Sequence, residues 1–268
     1  MDNPNIIEVK NLTKKYGDIV AVDNISFNVK KGEIFAFLGP NGAGKTTSIK
    51  VLTTLLAPTT GEVYLNGFNV MTEQEKARKS FGIVFQDPSI DNELTAYENM
   101  EYHAVLYSVP KNLYKPRIEE LLKLVELWDR KDDYAKNFSG GMKRRLEIAR
   151  GLLHHPKVFF LDEPTIGLDP QTRNHLWTYI KDLNKREGVT VFLTTHYMEE
   201  AEKIANQIAI IDHGKIVASG TAEELKNKTS SQTLEDAFLS LTGNSIRPEE
   251  GASVKDRMRV HTKMWGRR

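Results

Sequence analysis

Ile34-Phe35-Ala36-Phe37-Leu38-Gly39-Pro40-Asn41-Gly42-Ala43-Gly44-Lys45-Thr46-Thr47 is the stretch on which the reading of this chain turns. Its first five residues form the longest uninterrupted apolar run in the 268 residues, flanked by Gly32 and Gly39. That is the pattern of a short strand buried on both faces. The next eight, Gly39 to Thr46, fit G-x-x-x-x-G-K-[ST], and residues from about 45 to 55 read as a helix. Strand, glycine loop and helix in that order turn backbone N–H groups and the positive end of a helix toward phosphate oxygens. Lys45 is long enough to reach β- and γ-phosphates, and the Thr46 hydroxyl is suited to a Mg²⁺ shell.

Upstream, residues 6–10 and 25–29 read as strands, the second with Ile25, Phe27 and Val29 alternating. Downstream, Pro58 and Gly61 close the first helix, and 62–65 reads as a further strand. Residues from about 87 to 137 change character. Thr95 and Glu98 form a capping box that opens a helix through Tyr107. A second helix after Pro116 carries Ile118, Leu121, Leu122, Val125 and Trp128 on one broad face. This block sits between strand candidates at 82–85 and 158–161, so it reads as a helical subdomain inserted into an α/β core. Elements then alternate: a helix after Pro170 to about Lys185, a strand at 189–194, and a helix at 198–205. A hairpin of 208–211 and 216–218 follows, with its turn at Asp212-His213-Gly214 read as longer than the tightest class. Alternation predicts a parallel sheet covered on both faces, with a small antiparallel sheet beside it from the N-terminal pieces.

Val158-Phe159-Phe160-Leu161 ends in two adjacent acids, Asp162 and Glu163. Acids at the carboxyl end of such a strand face the crevice where open α/β sheets bind ligands. Asp162 is suited to hold Mg²⁺, and Glu163 to orient and deprotonate a water. Ser139-Gly140-Gly141 precedes a helical run from 142 to 153. Ser139 there is either a plain N-cap or, with two glycines leaving the helix end unshielded, part of a second anion site. His196, after the strand at 189–194, is either an ordinary surface or core histidine or a γ-phosphate contact. Tyr16 is either a surface tyrosine or an adenine-stacking ring.

Taken in order, Tyr16, GPNGAGKTT (39–47), Gln86, SGGM (139–142), FFLDEP (159–164), GLD (167–169) and His196 resemble the ATP-binding cassette family, over residues ~6 to ~225. The resemblance implies an α/β fold with a P-loop NTPase core: a mixed, mainly parallel sheet, a small N-terminal antiparallel β-subdomain and an inserted helical subdomain. It implies a nucleotide-binding domain over 1–225, the helical insertion at about 87–155, and a helical extension with a basic tail over 226–268. ATP would contact Tyr16 and Gly39, Pro40, Asn41, Gly42, Ala43, Gly44, Lys45, Thr46 and Thr47. Thr46, Gln86 and Asp162 would serve Mg²⁺, and Glu163, His196, Gln86 and Lys45 would serve hydrolysis. Ser139, Gly140 and Gly141 would read the γ-phosphate held by the opposite subunit, and Asp169 would lie in a dimer-contact loop. Met142 departs from the family pattern, which places glutamine there, as does Phe138, where leucine is usual.

Within the family, SGGM followed by Lys143-Arg144-Arg145, the segment FQDPSIDNELTAYENM (85–100) and TLEDAFLSLTG (233–243) look like the daunorubicin-resistance type of exporter ATPase. The expected function is the ATP-binding and ATP-hydrolysing subunit of an exporter. It would pair with itself or a second such subunit and drive a separate membrane permease from the cytoplasmic face of the cell membrane. The competing class is a soluble ATPase switch acting on nucleic acid or the ribosome, whose members usually carry long coiled-coil insertions, zinc sites or two cassettes.

Composition narrows the rest. Thirty-seven Lys and Arg against 36 Asp and Glu leave a net charge of +1, so capture of nucleic acid by overall charge is not expected. The chain has no cysteine, which removes disulfides, thiolate metal sites and cysteine nucleophiles. An apolar run of five is far short of the ~18 residues of a membrane span, so membrane attachment is expected through a partner. Arg247 to Arg268 carries seven Lys or Arg and three acids, and reads as a solvated tail or as an anchor on anionic lipid.

Overall fold

The computed structural model describes residues 4–243. The basic segment from 247 to 268 lies outside the described residues. Two twelve-residue strands, β1 (Asn5–Tyr16) and β2 (Ile19–Lys30), form a hairpin twice as long as the sequence signals predict. The expectation was short because β1 breaks its alternation at register shifts between Val9 and Lys15, where polar residues fall on both faces. The central strand β3 (Ile34–Leu38) follows, then α1 (Lys45–Leu52), β4 (Thr60–Leu65), the short β5 (Phe68–Asn69), α2 (Gln74–Lys79) and β6 (Phe81–Val84). Helices α3 (Ala96–Leu106), α4 (Lys111–Leu124) and α5 (Gly140–Gly151) intervene before β7 (Val158–Asp162). The chain closes with α6 (Pro170–Glu187), β8 (Thr190–Thr194), α7 (Met198–Ile204), β9 (Gln207–Asp212), β10 (Lys215–Gly220), α8 (Ala222–Thr229) and α9 (Leu234–Thr242).

Two sheets result. An antiparallel sheet has the order β2-β1-β4-β5, and a second sheet the order β10-β9-β3-β8-β7-β6, parallel except for β10 on β9. Every residue of β3, β7 and β8 is buried, and their alternation divides the core in two. Ile34, Ala36, Leu38, Phe159, Leu161, Val191 and Leu193 face the helices. Phe35, Phe37, Val158, Phe160 and Phe192 face the antiparallel sheet, where they meet Ile7, Val9 and Leu12. Aromatic rings bond these layers: Phe192 lies 5.4 Å from Phe35 and 5.5 Å from Phe160, and Phe27 of the other sheet lies 5.5 Å from Phe35. Burying such a ring contributes roughly 1.5–3 kcal/mol.

The Thr95 capping box forms as predicted, with Thr95 Oγ1 accepting from Glu98 N and Glu98 Oε2 from Thr95 N. Two local expectations are corrected. Helix α4 starts at Lys111, ahead of Pro116 rather than after it. Pro116 falls in the second turn, where it removes only the bond to Asn112 near a helix end already short of partners. The hairpin between β9 and β10 is of the tightest class, because Asp212 pairs Lys215 and leaves only His213 and Gly214 in the turn. Both have positive φ (45° and 75°), the two-residue turn that matches strand twist.

The helical block is fastened to the core by charge as well as by packing. Arg117 of α4 is 6% exposed and binds Glu187 at the end of α6 through Nη1 and Nη2, 2.8 Å each. Nearby, His103 of α3, Tyr107 and His154 form an aromatic cluster, with Tyr107 and His154 centroids 3.9 Å apart. His154 Nε2 bonds the Phe81 carbonyl at 2.9 Å, while His154 Nδ1 and His103 Nε2 are buried without partners. Burial, with Arg150 facing His103, pushes that ring down to about 3; burial pushes His154 down to about 4. Ordinary histidine titrates near 6.5. Between these limits the unfolded chain binds more protons, so the stability from both rings is complete above pH ~6.5 and falls as the pH drops toward about 4 for His154 and about 3 for His103. The expected result is a lower urea midpoint at pH 5 than at pH 7.5, and a smaller pH-dependent drop in His103→Gln/His154→Gln. An equal drop in that variant refutes the assignment to these rings.

Candidate functional site

A sheet buried on both faces offers polar groups to a ligand only at its ends. The parallel strands β3, β8 and β7 lie side by side, and the segments that leave their carboxyl ends are Gly39–Gly44, Thr195–His196 and Glu163–Thr165. The loop after β3 is drawn tight against the molecule. A Cβ on Gly39 would stand 2.3 Å from the Ile211 carbonyl, and one on Gly44 2.5 Å from the Ala21 carbonyl. Gly44 also has φ +108°, in the left-handed region, and is the N-cap of α1 with no side-chain cap. The first turn of α1 thus keeps its N–H groups clear of side-chain acceptors. Lys45 is buried, and its Nζ donates to the Gly39 carbonyl at 2.6 Å and the Pro40 carbonyl at 3.1 Å. Burial lowers its pKa, while Glu163 and Asp162 pull it back up. Thr46 is exposed and Thr47 half-buried on the same turn; Asn41 and Gly42 are exposed at the loop tip, and Ala43 is buried beneath it.

Asp162 ends β7, in register with Thr194 of β8, and its Oδ1 accepts from Thr194 Oγ1 at 2.7 Å. Burial raises the Asp162 pKa, and the Thr194 hydrogen bond opposes that rise. Glu163 has φ +51°, unusual for a residue with a side chain, and its N–H is shared between the Thr194 carbonyl (3.2 Å) and hydroxyl (3.1 Å). His196 Nε2 lies 2.5 Å from Glu163 Oε1. Glu163 Oε2 is buried and has no partner. Lys45, Asp162, Glu163 and His196 are therefore gathered at the carboxyl ends of β3, β7 and β8.

The other predicted residues lie on other segments. Gln86 is exposed just after β6. Ser139 caps α5, its Oγ accepting from Met142 N at 3.3 Å, and Ser139 and Gly140 are exposed. Asp169 caps α6, with Oδ1 accepting from Thr172 N (2.9 Å) and Oδ2 from Thr172 Oγ1 (2.6 Å); that side-chain hydrogen bond holds its carboxyl below the usual range. These two helix starts adjoin, since a Cβ on Gly141 would lie 3.2 Å from Thr172 Cγ2 and 3.7 Å from Leu168. Tyr16 is half-buried at the tip of the β1–β2 hairpin, with Lys14 Nζ 5.2 Å from its ring centroid. Further along the same hairpin, Ala21 and Val22 abut Gly44.

Three contributors are absent from the sequence reading. Thr194 joins Asp162 and Glu163 to β8, and a threonine ending an apolar strand beside a histidine is the signal that could have singled it out. Glu200, 8% exposed, accepts from Thr165 and Thr195 Oγ1 at 2.9 Å each and so ties two strand-end segments together. Arg144 donates to the Asp162 and Glu163 carbonyls from α5; inside Lys143-Arg144-Arg145 nothing distinguishes it from a solvated helix face.

A family profile described as ABC transporter matches residues 22–166, more than half of the chain. The chain belongs to the ABC transporter family. It is 41% identical over 229 residues to the linearmycin resistance ATP-binding protein LnrL of Bacillus subtilis (strain 168), covering 85% of this chain and 73% of that protein. It is 38% identical over 267 residues to the daunorubicin resistance ATP-binding protein DrrA3 of Streptomyces coeruleorubidus, covering 94% and 84%. Among solved structures, the dimeric post-hydrolysis state of an ATP-binding cassette bound to ADP and Pi is similar with a TM-score of 0.72 at 30% identity, over 80% of this chain and 98% of that one. The protein is an ABC-type ATP hydrolase, with the expected α/β fold and its added antiparallel sheet. Among the described residues, no helix is long and apolar enough to cross a membrane.

In this ABC ATPase, Lys45→Ala removes the buried ammonium from the glycine loop. A charge-assisted contact contributes roughly 1.5–3 kcal/mol, so ATP affinity measured by calorimetry should fall roughly 10- to 100-fold and turnover should be lost. Wild-type affinity in this variant would refute the phosphate role of Lys45.

Proposed function

We propose that this protein is the ATPase subunit of an exporter, driving a separate membrane permease by ATP-dependent closure of a dimer and hydrolysis. The nucleotide-binding domain would span 1–225, with residues 226–268 as an extension. The observation that carries the catalytic part is Glu163. Its Oε1 is engaged by His196, its Oε2 is buried without a partner, and its backbone is pinned to Thr194. A carboxylate oxygen held in that way accepts a proton from a water directed at the γ-phosphate. Lys45, together with the backbone of Gly39, Pro40, Asn41, Gly42, Ala43 and Gly44, would hold the phosphates. Thr46 and Thr47 would complete that loop, with Tyr16 against the adenine.

The donors present fit a magnesium ion. The Thr46 hydroxyl, the Gln86 amide oxygen and the Asp162 carboxylate are hard oxygen ligands, and Asp162 is fixed from behind by Thr194. Bound there with ATP, the ion would neutralise phosphate charge. Asp162 would hold its position through the Thr194 bond, and His196 would keep Glu163 from turning away.

Dimerisation is supported by the adjoining exposed turns of Ser139–Gly141 and Asp169, which belong to one face. A helix N-terminus with two glycines suits a phosphate brought by a second subunit, whether a second copy or a paired chain. The permease contact is supported by a groove of about 410 Å³ between core and helical block, lined by Leu55, Arg78, Phe81, Phe85, Leu106 and Tyr107. Leu55 and Leu106 in that lining are 56% and 62% exposed, an apolar surface that suits a helix of a membrane protein. Phe85 in that groove precedes Gln86, so docking there would bear on the nucleotide site. Such contacts would keep the subunit peripheral at the cytoplasmic face of the cell membrane. The names of the relatives, both resistance ATP-binding proteins, favour export over the soluble switch on nucleic acid or the ribosome.

Glu163→Gln is nearly isosteric and cannot take the proton, so hydrolysis should fall 10²–10⁴-fold while ATP still binds. ATP that is not hydrolysed should hold the closed dimer, seen as a shift in size exclusion relative to wild type at equal concentration. A monomeric variant hydrolysing at the wild-type rate would overturn the role of Glu163.

Ser139→Arg should leave ATP binding by an isolated subunit intact and block hydrolysis, because the side chain obstructs the partner's phosphate. Mixed with Lys45→Ala subunits it should regain part of the activity, since the mixed dimer keeps one composite site with neither change. Normal hydrolysis by Ser139→Arg alone would end the reading of a shared site.

A further inference from the structure

Arg144 lies in the second turn of α5, is 8% exposed, and has all five guanidinium N–H groups engaged. Nε donates to the Pro164 carbonyl at 2.9 Å. Nη1 donates to the Phe85 carbonyl and to Glu147 Oε2, the latter at 3.1 Å. Nη2 donates to the Asp162 and Glu163 carbonyls at 3.2 Å each. Three consecutive carbonyls of the segment that carries Glu163, and the carbonyl that precedes Gln86, thus converge on one side chain. Glu147, 2% exposed, extends the same hub by accepting from Ser89 N (2.5 Å) and Ser89 Oγ (3.1 Å). Arg150 donates to the Ser89 carbonyl at 2.8 Å. The loop after β6 and the end of β7 are therefore both bolted to α5, the helix whose first turn is Ser139–Gly141.

Two features call for more than packing. Taking a guanidinium out of water with one carboxylate beside it is costly unless every donor is met, and here every donor is met by backbone or by Glu147. Second, the carbonyls it holds flank the positive φ of Glu163, a conformation that persists only where its surroundings over-determine it. A planar five-donor fork meets four carbonyls and Glu147 at once, whereas an ammonium with three donors leaves two of these five acceptors unmet.

We propose that Arg144 is a positioning residue for hydrolysis: it holds Glu163 in its left-handed backbone conformation and, through the rigid α5, couples the direction of that carboxylate to the engagement of Ser139–Gly141 by the partner subunit's nucleotide. The proposal rests on the assignment of Glu163 as the base. Each subunit thereby aligns its own base in response to the nucleotide bound across the dimer, and Gln86 follows because Phe85 is held by the same side chain.

The test is a double-mutant cycle of Arg144→Lys and Glu163→Gln on the full chain, with ATP affinity, KM and kcat measured separately. Arg144→Lys should keep ATP affinity and KM within about twofold and lower kcat roughly 10- to 100-fold, the cost of misdirecting a reacting group. In the Glu163→Gln background, followed by single-turnover phosphate release, the same substitution should add little, because the base it aligns is already gone. The double variant should still form the ATP-dependent dimer. Wild-type kcat in Arg144→Lys, a raised KM at unchanged kcat, or an equal loss in both backgrounds overturns the proposal. Glu163→Gln hydrolysing at the wild-type rate removes the base assignment instead, and is read without any Arg144 variant. If the lysine substitution lowers the melting temperature below the assay range, Arg144→Gln, which keeps two donors, runs the same cycle.

Discussion

Burial of the central sheet on both faces is the constraint from which the other features follow. Strands β3, β7 and β8 present no residue to water, so their interiors are apolar, and polar side chains are confined to the strand ends. Parallel pairing in the order β3, β8, β7 then sets the three stops side by side. Register does the fine placement. Asp162 opposite Thr194 brings a hydroxyl to a carboxylate at 2.7 Å, and that hydroxyl also receives the N–H of Glu163. A slip of one residue along β7 would point Asp162 to the opposite face and lose all of this.

The features legible in the sequence are those set by local rules. The apolar run 34–38, the glycine loop, the Thr95 capping box and the acids after 158–161 each declare themselves within a few residues, and the structure reproduces them. What escaped depends on neighbours far along the chain. Pro116 reads as a helix start because its cost is local, yet α4 extends around it because Tyr114, Ile118, Leu121 and Leu122 bury against the core. The turn at His213-Gly214 reads as long because the apolar runs stop at Ile211 and resume at Ile216, whereas Asp212 and Lys215 pair and extend the ladder by one residue on each side. Thr194 carries a local signal in its place at the end of an apolar strand beside His196, but Glu200 and Arg144 are distinguished only by burial and partners, and a sequence carries neither. Their partners lie from 3 to 59 positions away.

The electrostatics of the strand ends explain why the site suits a paired ligand. Burial alone drives Lys45 and Asp162 toward their neutral forms, and their mutual attraction only partly resists. A triphosphate brought to Gly39–Thr46 adds negative charge beside Lys45, which favours the ammonium, and beside Asp162, which disfavours the carboxylate. A divalent cation reverses the second effect. Under the proposed reading, nucleotide and metal would complement each other at these strand ends: each would restore the charge state of a side chain that the other leaves unfavourable or does not reach.

The same reasoning bears on stability. Glu163 keeps a buried oxygen without a partner and a left-handed backbone, and each carries a cost of order 1–3 kcal/mol. The fold offsets these costs nearby rather than removing them. Thr194 takes the Glu163 N–H twice over, Arg144 takes its carbonyl, and His196 takes one oxygen, so every backbone group of Glu163 is met while one carboxylate oxygen is withheld. A core optimised for stability alone would pair that oxygen or replace the residue. With both backbone groups met and one carboxylate oxygen left open, the arrangement of Glu163 suits the proton acceptor proposed for it.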